Sequence, residues 1–548
     1  MSRIYVAEPG RTGGPGAMGA KLLAARLAAS GHTVTHVRLT SEDHAAQGLL
    51  LTEGEHEMQD VRDLAPPDAW FISTIYTRQW VYLRSLHEQI GVPLWTRDRT
   101  DAHPLVVYGG QTSFAPEPIA DFADIVALGD GELTGLQIAE WLDRGHSRSE
   151  VMELAHSRGG IGYYVPSEWP GTARPTLQRW DTPRVEPLVV YPGTVDRVNP
   201  TIEVARGCRS KCAFCPIGWA GGPYRESDRS LIEGLIDGIR RRGRAQVNLF
   251  APDYSSVSYV DDLDRYAASV GCSNHGTDAR LDRAERHLAA GGTVKSFAFG
   301  IEGPSERLRS AIGKPLSTEQ ILVTMARLSA TRVRWYVILG LPGEDDSDTA
   351  ELRGTLLALD HRGMLNVTQT CLQPVPHTPL ERVDAHYPAR SAERGLELRA
   401  WARDVSEQRG SIIALFSQPK GPHLHEHDAI VHRGGREMAR YLAIATASDG
   451  AVSSGRWRDA FVRADLDAER YLAPIGVDTP TPWDFVCVGS SSSARAKAID
   501  AYWHRFRVAS CRRHGSEPPA ESTAIEGGAN GRGPQRAAPI SDPAAARP

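Results

Sequence analysis

Three of the chain's seven cysteines, Cys208, Cys212 and Cys215, stand together in IEVARGCRSKCAFCPIGWAGGPYR, residues 202–225, with the spacing C-x3-C-x2-C. Three thiolates on one short loop can serve zinc, a disulfide-exchange pair or an iron–sulfur cluster. Structural zinc closes with four ligands. No second C-x2-C completes such a set, which leaves only Cys272 or the histidines of HLHEH, His423, His425 and His427, alternating on an expected strand. An exchange pair made of Cys212 and Cys215 leaves Cys208 idle. The other cysteines, Cys272, Cys371, Cys487 and Cys511, are scattered, and an odd total with one tight cluster is no disulfide framework.

A four-iron cubane held by three thiolates keeps one iron free of protein. That open position can take the amino and carboxylate groups of S-adenosylmethionine and pass an electron to its sulfonium. A fourth cysteine would close it. The trio therefore answers to a cluster with a substrate-binding corner, with zinc and exchange chemistry as the alternatives.

Such a loop needs a rigid rim. The cysteines follow TIEVARG, the first of a series of strand patterns that continues through QVNLFAP, CSNHGTDAR, VKSFAFGIEG, VRWYVILGLPG and NVTQTCLQPVP, with helical patterns such as SLIEGLIDGIRRRG between most of them. This alternation predicts a partial or full β/α barrel over residues 196–400, with the loop at its carboxyl rim. Residues 1–150 alternate RIYVAE, HTVTHVRL, AWFISTIY, PLVVYGG and DIVALGDGE with helical stretches, the pattern of a Rossmann-like parallel sheet. A strand-rich connector is expected at 151–195, a mainly helical region at 401–510 and an unfolded tail at 511–548. The fold class is α/β.

Composition sets the remaining bounds. A formal net charge of −5 excludes a global electrostatic grip on nucleic acid, and the basic run IRRRGR reads as a solvated helix end. No apolar run approaches the ~20 residues that span a bilayer, and the start lacks a secretory signal. A cytoplasmic protein without membrane contact is expected.

With the cysteine loop on the first barrel strand and Phe214 before the last cysteine, the sequence resembles the radical S-adenosylmethionine superfamily. FAFGIEGPSERLRSAIGKPLS is similar to that family's fourth-strand segment, YVILGLPGED to its fifth-strand motif and GTDARLD to its third. The resemblance implies a [4Fe–4S] cluster on Cys208, Cys212 and Cys215. It also implies that Phe214, Arg280, Glu302, Gly340, Leu341 and Pro342 bind S-adenosylmethionine, and that a flavodoxin or ferredoxin supplies the electron. The amino-terminal region resembles that of members described as cobalamin-binding, which makes cobalamin a possible second cofactor although no Asp-x-His-x-x-Gly occurs in residues 1–150. The substrate (small molecule, peptide or RNA), the reaction after hydrogen abstraction and the oligomeric state stay unread, with methyl transfer the first expectation if cobalamin is present. A catalytically silent scaffold binding protein or RNA and a zinc-binding nucleic-acid module are the alternative readings.

Structural readings of the same residues compete. Glu302 could cap the helix starting near Ser305, Arg280 could pair with Asp278 or Asp282, and Gly340 and Pro342 form turns in any case. Asp253 and Tyr254 could reach the cofactor, and Cys371 could donate a hydrogen atom or ligate iron.

Overall fold

The computed structural model describes residues 1–9, 18–39, 46–50, 58–168, 184–185, 189–190, 199–274, 277–283, 296–328, 332–361, 363–409, 413–417, 422–445 and 454–513. Most of the expected connector and the tail beyond residue 513 lie outside them.

The amino-terminal strands β1 (Arg3–Glu8), β2 (Thr33–Leu39), β3 (Ala46–Leu50), β4 (Met58–Asp60), β5 (Ala69–Ser73), β6 (Leu105–Gly109), β7 (Ile125–Ala127) and β8 (Tyr163–Tyr164) form one sheet in the order β4-β3-β2-β1-β5-β6-β7-β8. The run β2-β1-β5-β6-β7 is parallel, while β3 and β4 at one end and β8 at the other join by antiparallel pairing. The run AWFIS is buried throughout, as a central parallel strand covered on both faces must be. Helices Met18–Ala29, Gly131–Asp143 and Arg148–Ser157 cover one face around Ile4, Phe71 and Val107. The opposite face is covered from the far end of the chain. Helices Pro422–Arg433, Met438–Ala445 and Ser454–Ala464 place Ile430, Tyr441 and Phe461 in one apolar cluster with Tyr5, Trp70 and Tyr108.

The barrel strands are β11 (Thr201–Glu203), β14 (Gln246–Phe250), β15 (Ser273–Asn274), β16 (Thr277–Ala279), β17 (Ser296–Glu302), β18 (Arg332–Leu339), β19 (Leu365–Cys371) and β20 (Ile413–Ser417). They pair in parallel within two sheets, β11-β14-β15 and β16-β17-β18-β19-β20, and two residues outside the described set separate β15 from β16. No pairing between β11 and β20 occurs among the described residues, so the barrel is partial. Phe297, Phe299, Val333, Trp335 and Val367 face the covering helices, and the alternate residues face the interior.

Short pairs complete this part: β9 (Arg184–Val185) with β13 (Arg225–Ser227), β10 (Val189–Val190) with β11, and β12 (Ala205–Arg206) with β13. The last helix, Ser492–Arg513, packs on helix Glu306–Ala311, where Arg505 donates to the carbonyls of Ser310 (3.0 Å) and Ala311 (2.8 Å). The carboxy-terminal region is mainly helical but also supplies β20. HLHEH is no strand: it lies in helix Pro422–Arg433, because it continues into a helical apolar face, Ala429–Val431, that the amino-terminal sheet buries. Among the described residues no helix is long and apolar enough to cross a membrane.

Candidate functional site

The cysteine loop leaves β12 through Gly207, whose φ of 78° lies in the left-handed region. A Cβ there would meet the Pro223 carbonyl at 2.9 Å. The loop then turns on short local bonds. Ser210 N–H donates to Cys208 Sγ (3.3 Å), and the Cys212 carbonyl accepts from Cys215 N (3.1 Å) and Trp219 Nε1 (3.1 Å). Ala213 N–H donates to the Ile312 carbonyl (2.9 Å), which fastens the loop to the end of helix Glu306–Ala311.

Cys208, Cys212 and Cys215 line one cavity of about 310 Å³ with Phe214, Asp253, Arg280, Glu302, Lys314 and Tyr336. All three thiols are free. Burial pushes each above its ordinary value, Cys215 to about 12 with a further push from Cys212, while Lys314 and Arg280 pull Cys212 back. Three crowded thiols of this kind become thiolates once a multiply cationic group binds among them. Among the described residues no three His, Cys, Asp or Glu side chains converge on a single-ion site. A cluster, in which each thiolate takes its own iron, is chemistry that three thiols lining one cavity can serve.

Arg280 reaches both ways. It donates to the Asp282 carboxylate at 3.0 and 3.1 Å and to Ser210 Oγ in the cysteine loop at 3.2 Å. Glu302 does not cap the following helix; Ser305 does, accepting from Leu308 N–H at 3.4 Å. Glu302 instead sits at a bulge between β17 and β18 with φ 66°, rare for a residue with a side chain. Its carboxylate accepts from Lys314 Nζ (3.2 Å) in space that only Gly300 allows, since a Cβ there would lie 1.9 Å from Glu302 Oε1. A strained backbone that aims a carboxylate and an ammonium into a cysteine-lined cavity is a mark of function.

Gly340, Leu341 and Pro342 do not line this cavity. They form the turn behind it: Leu341 packs with Ala213 and Ile312, and Tyr502 donates to the Pro342 carbonyl at 2.7 Å. Glu344 accepts from the N–H groups of Gly340 (2.7 Å) and Leu341 (3.1 Å), and burial raises its carboxyl to about 7. Asp253 faces the cavity and accepts from Ser255 (2.5 Å) and Ser256, whereas Tyr254 points into the core and donates to Asp264 (2.7 Å). Lys314, Tyr336 and Tyr76 escaped the sequence reading. Period-two alternation along GIE and RWYVIL carries the signal for Tyr336.

Two further cavities extend from this one. A cavity of about 350 Å³ shares Phe214, Cys215 and Glu302 with it and adds Tyr76, Trp80, Cys371 and His432. It shares Ile75, Gln111 and Phe114 with the next, about 340 Å³, at the carboxyl ends of β5, β6 and β7. In open α/β sheets that edge is where ligands bind. The wall of this last cavity includes Gly109, Gly110, Gly129, Gly131 and Gly135.

A buried ion network joins the two regions there. Arg206, two residues before Cys208, donates to Asp130 (2.9 Å), Glu132 (2.6 Å) and Glu203 (2.7 Å), and Arg225 donates to Asp130 (2.5 Å). Burial raises Glu203 against the pull of Arg206. It also opposes ionisation of Asp130, which the two arginines nevertheless hold below the usual carboxylate range.

Residues 202–356 match the radical SAM superfamily, and residues 51–166 match the amino-terminal part of radical SAM proteins. An uncharacterized protein of Methanocaldococcus jannaschii, MJ0966, is 26% identical over 259 residues, 46% of this chain and 56% of that one. The ribosomal protein uS12 methylthiotransferase RimO of Desulforudis audaxviator is 25% identical over 227 residues, 37% and 49% of the two chains. The chain thus spans about half the length of these relatives. Among solved structures, the radical S-adenosylmethionine methyltransferase TsrM of Kitasatospora setae, with cobalamin and a [4Fe–4S] cluster bound, aligns with a TM-score of 0.51 at 15% identity, over 93% of this chain and 100% of that one. The cobalamin-dependent radical enzyme OxsB, with aqua-cobalamin and S-adenosylmethionine bound, aligns at 0.51 and 12% identity, over 94% and 80%. At these identities the likeness is one of fold.

Proposed function

We propose, from the premise that the chain belongs to the radical SAM superfamily, that it holds a [4Fe–4S] cluster on Cys208, Cys212 and Cys215 and cleaves S-adenosylmethionine reductively to modify a substrate. The observation that carries this reading is the sharing of one cavity by the three thiols, Arg280, Glu302 and Lys314. When bound, the cluster and S-adenosylmethionine supply a one-electron cleavage that yields a 5′-deoxyadenosyl radical.

The chain's own residues do the placing. Arg280, braced by Asp282 and Ser210, ties the third barrel strand to the cysteine loop and offers a cation to a carboxylate in the cavity. Glu302 and Lys314 form a polar pair at its rim, suited to the ammonium and ribose hydroxyls of the cofactor. Phe214 stands between the cysteine cavity and the next one, where its ring screens the reacting carbon from water. The Gly340–Pro342 turn acts indirectly, since Leu341 packs behind the loop at Ala213 and Ile312.

The glycine-walled cavity at the sheet edge is proposed to hold cobalamin. A corrinoid needs close approach of backbone and a large apolar wall, and the string of cavities leads from that edge to the cysteines. Cobalamin, when bound, supplies a methyl group that can be carried to the substrate; methyl transfer is then the reaction.

Anaerobic reconstitution of the full chain with iron and sulfide tests the reading. About four irons per chain, with 5′-deoxyadenosine formed from S-adenosylmethionine under a flavodoxin or ferredoxin donor, is the expected result. One colourless zinc overturns it, and a fully loaded protein that makes no 5′-deoxyadenosine is a binding scaffold. A corrinoid absorption spectrum on the same sample tests the second cofactor.

A further inference from the structure

Below the cysteines the barrel interior carries charge that cluster binding does not use. Parallel strands in register project aligned residues to the same face. The pairings Asp278 with Ala298 and Ala298 with Arg334 set an acid and a base in one row across β16, β17 and β18, and Gly300 with Tyr336 forms the next row on β17 and β18. Asp278, Ala298, Gly300 and Tyr336 all line the cysteine cavity.

Ala298 keeps the two charges apart. Asp278 and Arg334 stand two strand spacings from each other, about 10 Å, and among the described residues neither has an ion-pair partner within 4.0 Å. Both side chains are open to solvent; the protein packed around Asp278 pushes its carboxyl upward, and Arg334 opposes that push. The carboxylate is therefore open to the cavity it lines, where a cation can reach it.

The amino-terminal region supplies the facing wall. Tyr76, just beyond β5, keeps 68% of its surface exposed and lines the neighbouring cavity. Surrounding protein and, more weakly, Tyr336 and Asp278 push its phenol up, so the ring stands at the open mouth of that cavity, on the side of Tyr336 and Asp278. An acid, two phenol rings and the ring of Phe214 thus border adjoining cavities.

We propose that Asp278 anchors a positively charged nitrogen of the substrate, an amine whose apolar body lies against Tyr76 and Tyr336 in the direction of Phe214. The proposal rests on the reading of the cysteine cavity as the radical-generating site and adds the substrate class.

Calorimetric titration of the reconstituted full chain with phenethylamine and with 2-phenylethanol, its uncharged counterpart, tests it. In the wild type the amine should bind about tenfold more tightly than the alcohol, the size of one charge-assisted contact. The preference should vanish in Asp278→Asn. Arg334→Gln, which removes the competing cation, should strengthen amine binding, an effect that damage to the fold would not produce. S-adenosylmethionine should bind Asp278→Asn as it binds the wild type. Equal binding of the two probes by the wild type, an amine preference kept in Asp278→Asn, amine binding weakened in Arg334→Gln, or a tenfold loss of S-adenosylmethionine affinity in Asp278→Asn would each overturn the proposal. Iron content and 5′-deoxyadenosine formation report separately on the cysteine site, so either reading can fail alone.

Discussion

At the barrel rim, side chains make the site: three thiols, a guanidinium, a carboxylate and an ammonium face one cavity. At the carboxyl edge of the amino-terminal sheet, the backbone makes much of it. Gly110, with φ 99°, passes so close to residue 74 that a Cβ would meet the Thr74 carbonyl at 2.3 Å, and Gly135 leaves room for Leu23 and Phe71. The first site depends on the identity of a few atoms and the second on an absence of atoms. Chemistry should therefore fail abruptly when one region is altered, and shape should fail gradually when the other is. The Arg206 network is the point at which the two failures meet.

The sharpest contrast comes from the thiols. Cys208→Ala, Cys212→Ala and Cys215→Ala should each abolish 5′-deoxyadenosine formation to background and remove the cluster's absorption, while leaving any corrinoid spectrum intact. Loss of both signals together would mean that the two regions are not separate sites. Next in size is Arg206→Ala. It takes their shared guanidinium from Asp130, Glu132 and Glu203, while Arg225 still pairs with Asp130, and breaking a buried pair in this way costs about 3–5 kcal/mol. Denaturant unfolding should show that loss, and both the iron and the corrinoid signals should fall; a variant as stable as the wild type would mean that water already screens the network.

Gly110→Ala probes shape alone. Forcing a side chain into the left-handed region against the Thr74 carbonyl costs about 1–3 kcal/mol. The expected result is weaker corrinoid retention with four irons per chain unchanged. If iron content falls instead, the sheet edge supports the cysteine loop rather than a second ligand.

The same contrast explains what could be read from the sequence. The trio at 208, 212 and 215 is visible because one short loop fixes its spacing. The parallel sheet and the barrel strands are visible because strands buried on both faces are written as apolar runs, such as AWFIS. HLHEH misled because three histidines at alternate positions imitate a strand, whereas Ala429, Ile430 and Val431, a few residues on, need the helical face that packs on the amino-terminal sheet. That contact spans hundreds of residues, so no local pattern records it. Lys314 and Tyr76 were hidden for the same reason: each becomes part of a site only after distant segments close around the barrel. Arg280 and Glu302 held two readings each, and only tertiary placement distinguishes a cap from a cavity wall. Ser305 takes the cap, which leaves Glu302 to the cavity.

The smallest expected effect concerns the turn behind the rim. Glu344 folds the Gly340–Pro342 segment by accepting two backbone N–H bonds, and its carboxyl rises to about 7 from an ordinary 4.5 because burial outweighs those bonds and the Arg394 guanidinium 3.6 Å away. Between those two values the folded chain keeps a proton that the unfolded chain gives up. Stability from this group is therefore complete below the ordinary carboxyl value and declines as pH climbs through 7. Glu344→Gln retains an oxygen acceptor for both N–H groups and cannot ionise. Thermal melts should show the variant gaining on the wild type by a few degrees as pH is raised from the acid side to above neutrality. A constant offset across that range would mean that Glu344 is ionised throughout, held so by Arg394, and that the turn, like the thiols in front of it, is governed by charge rather than by shape.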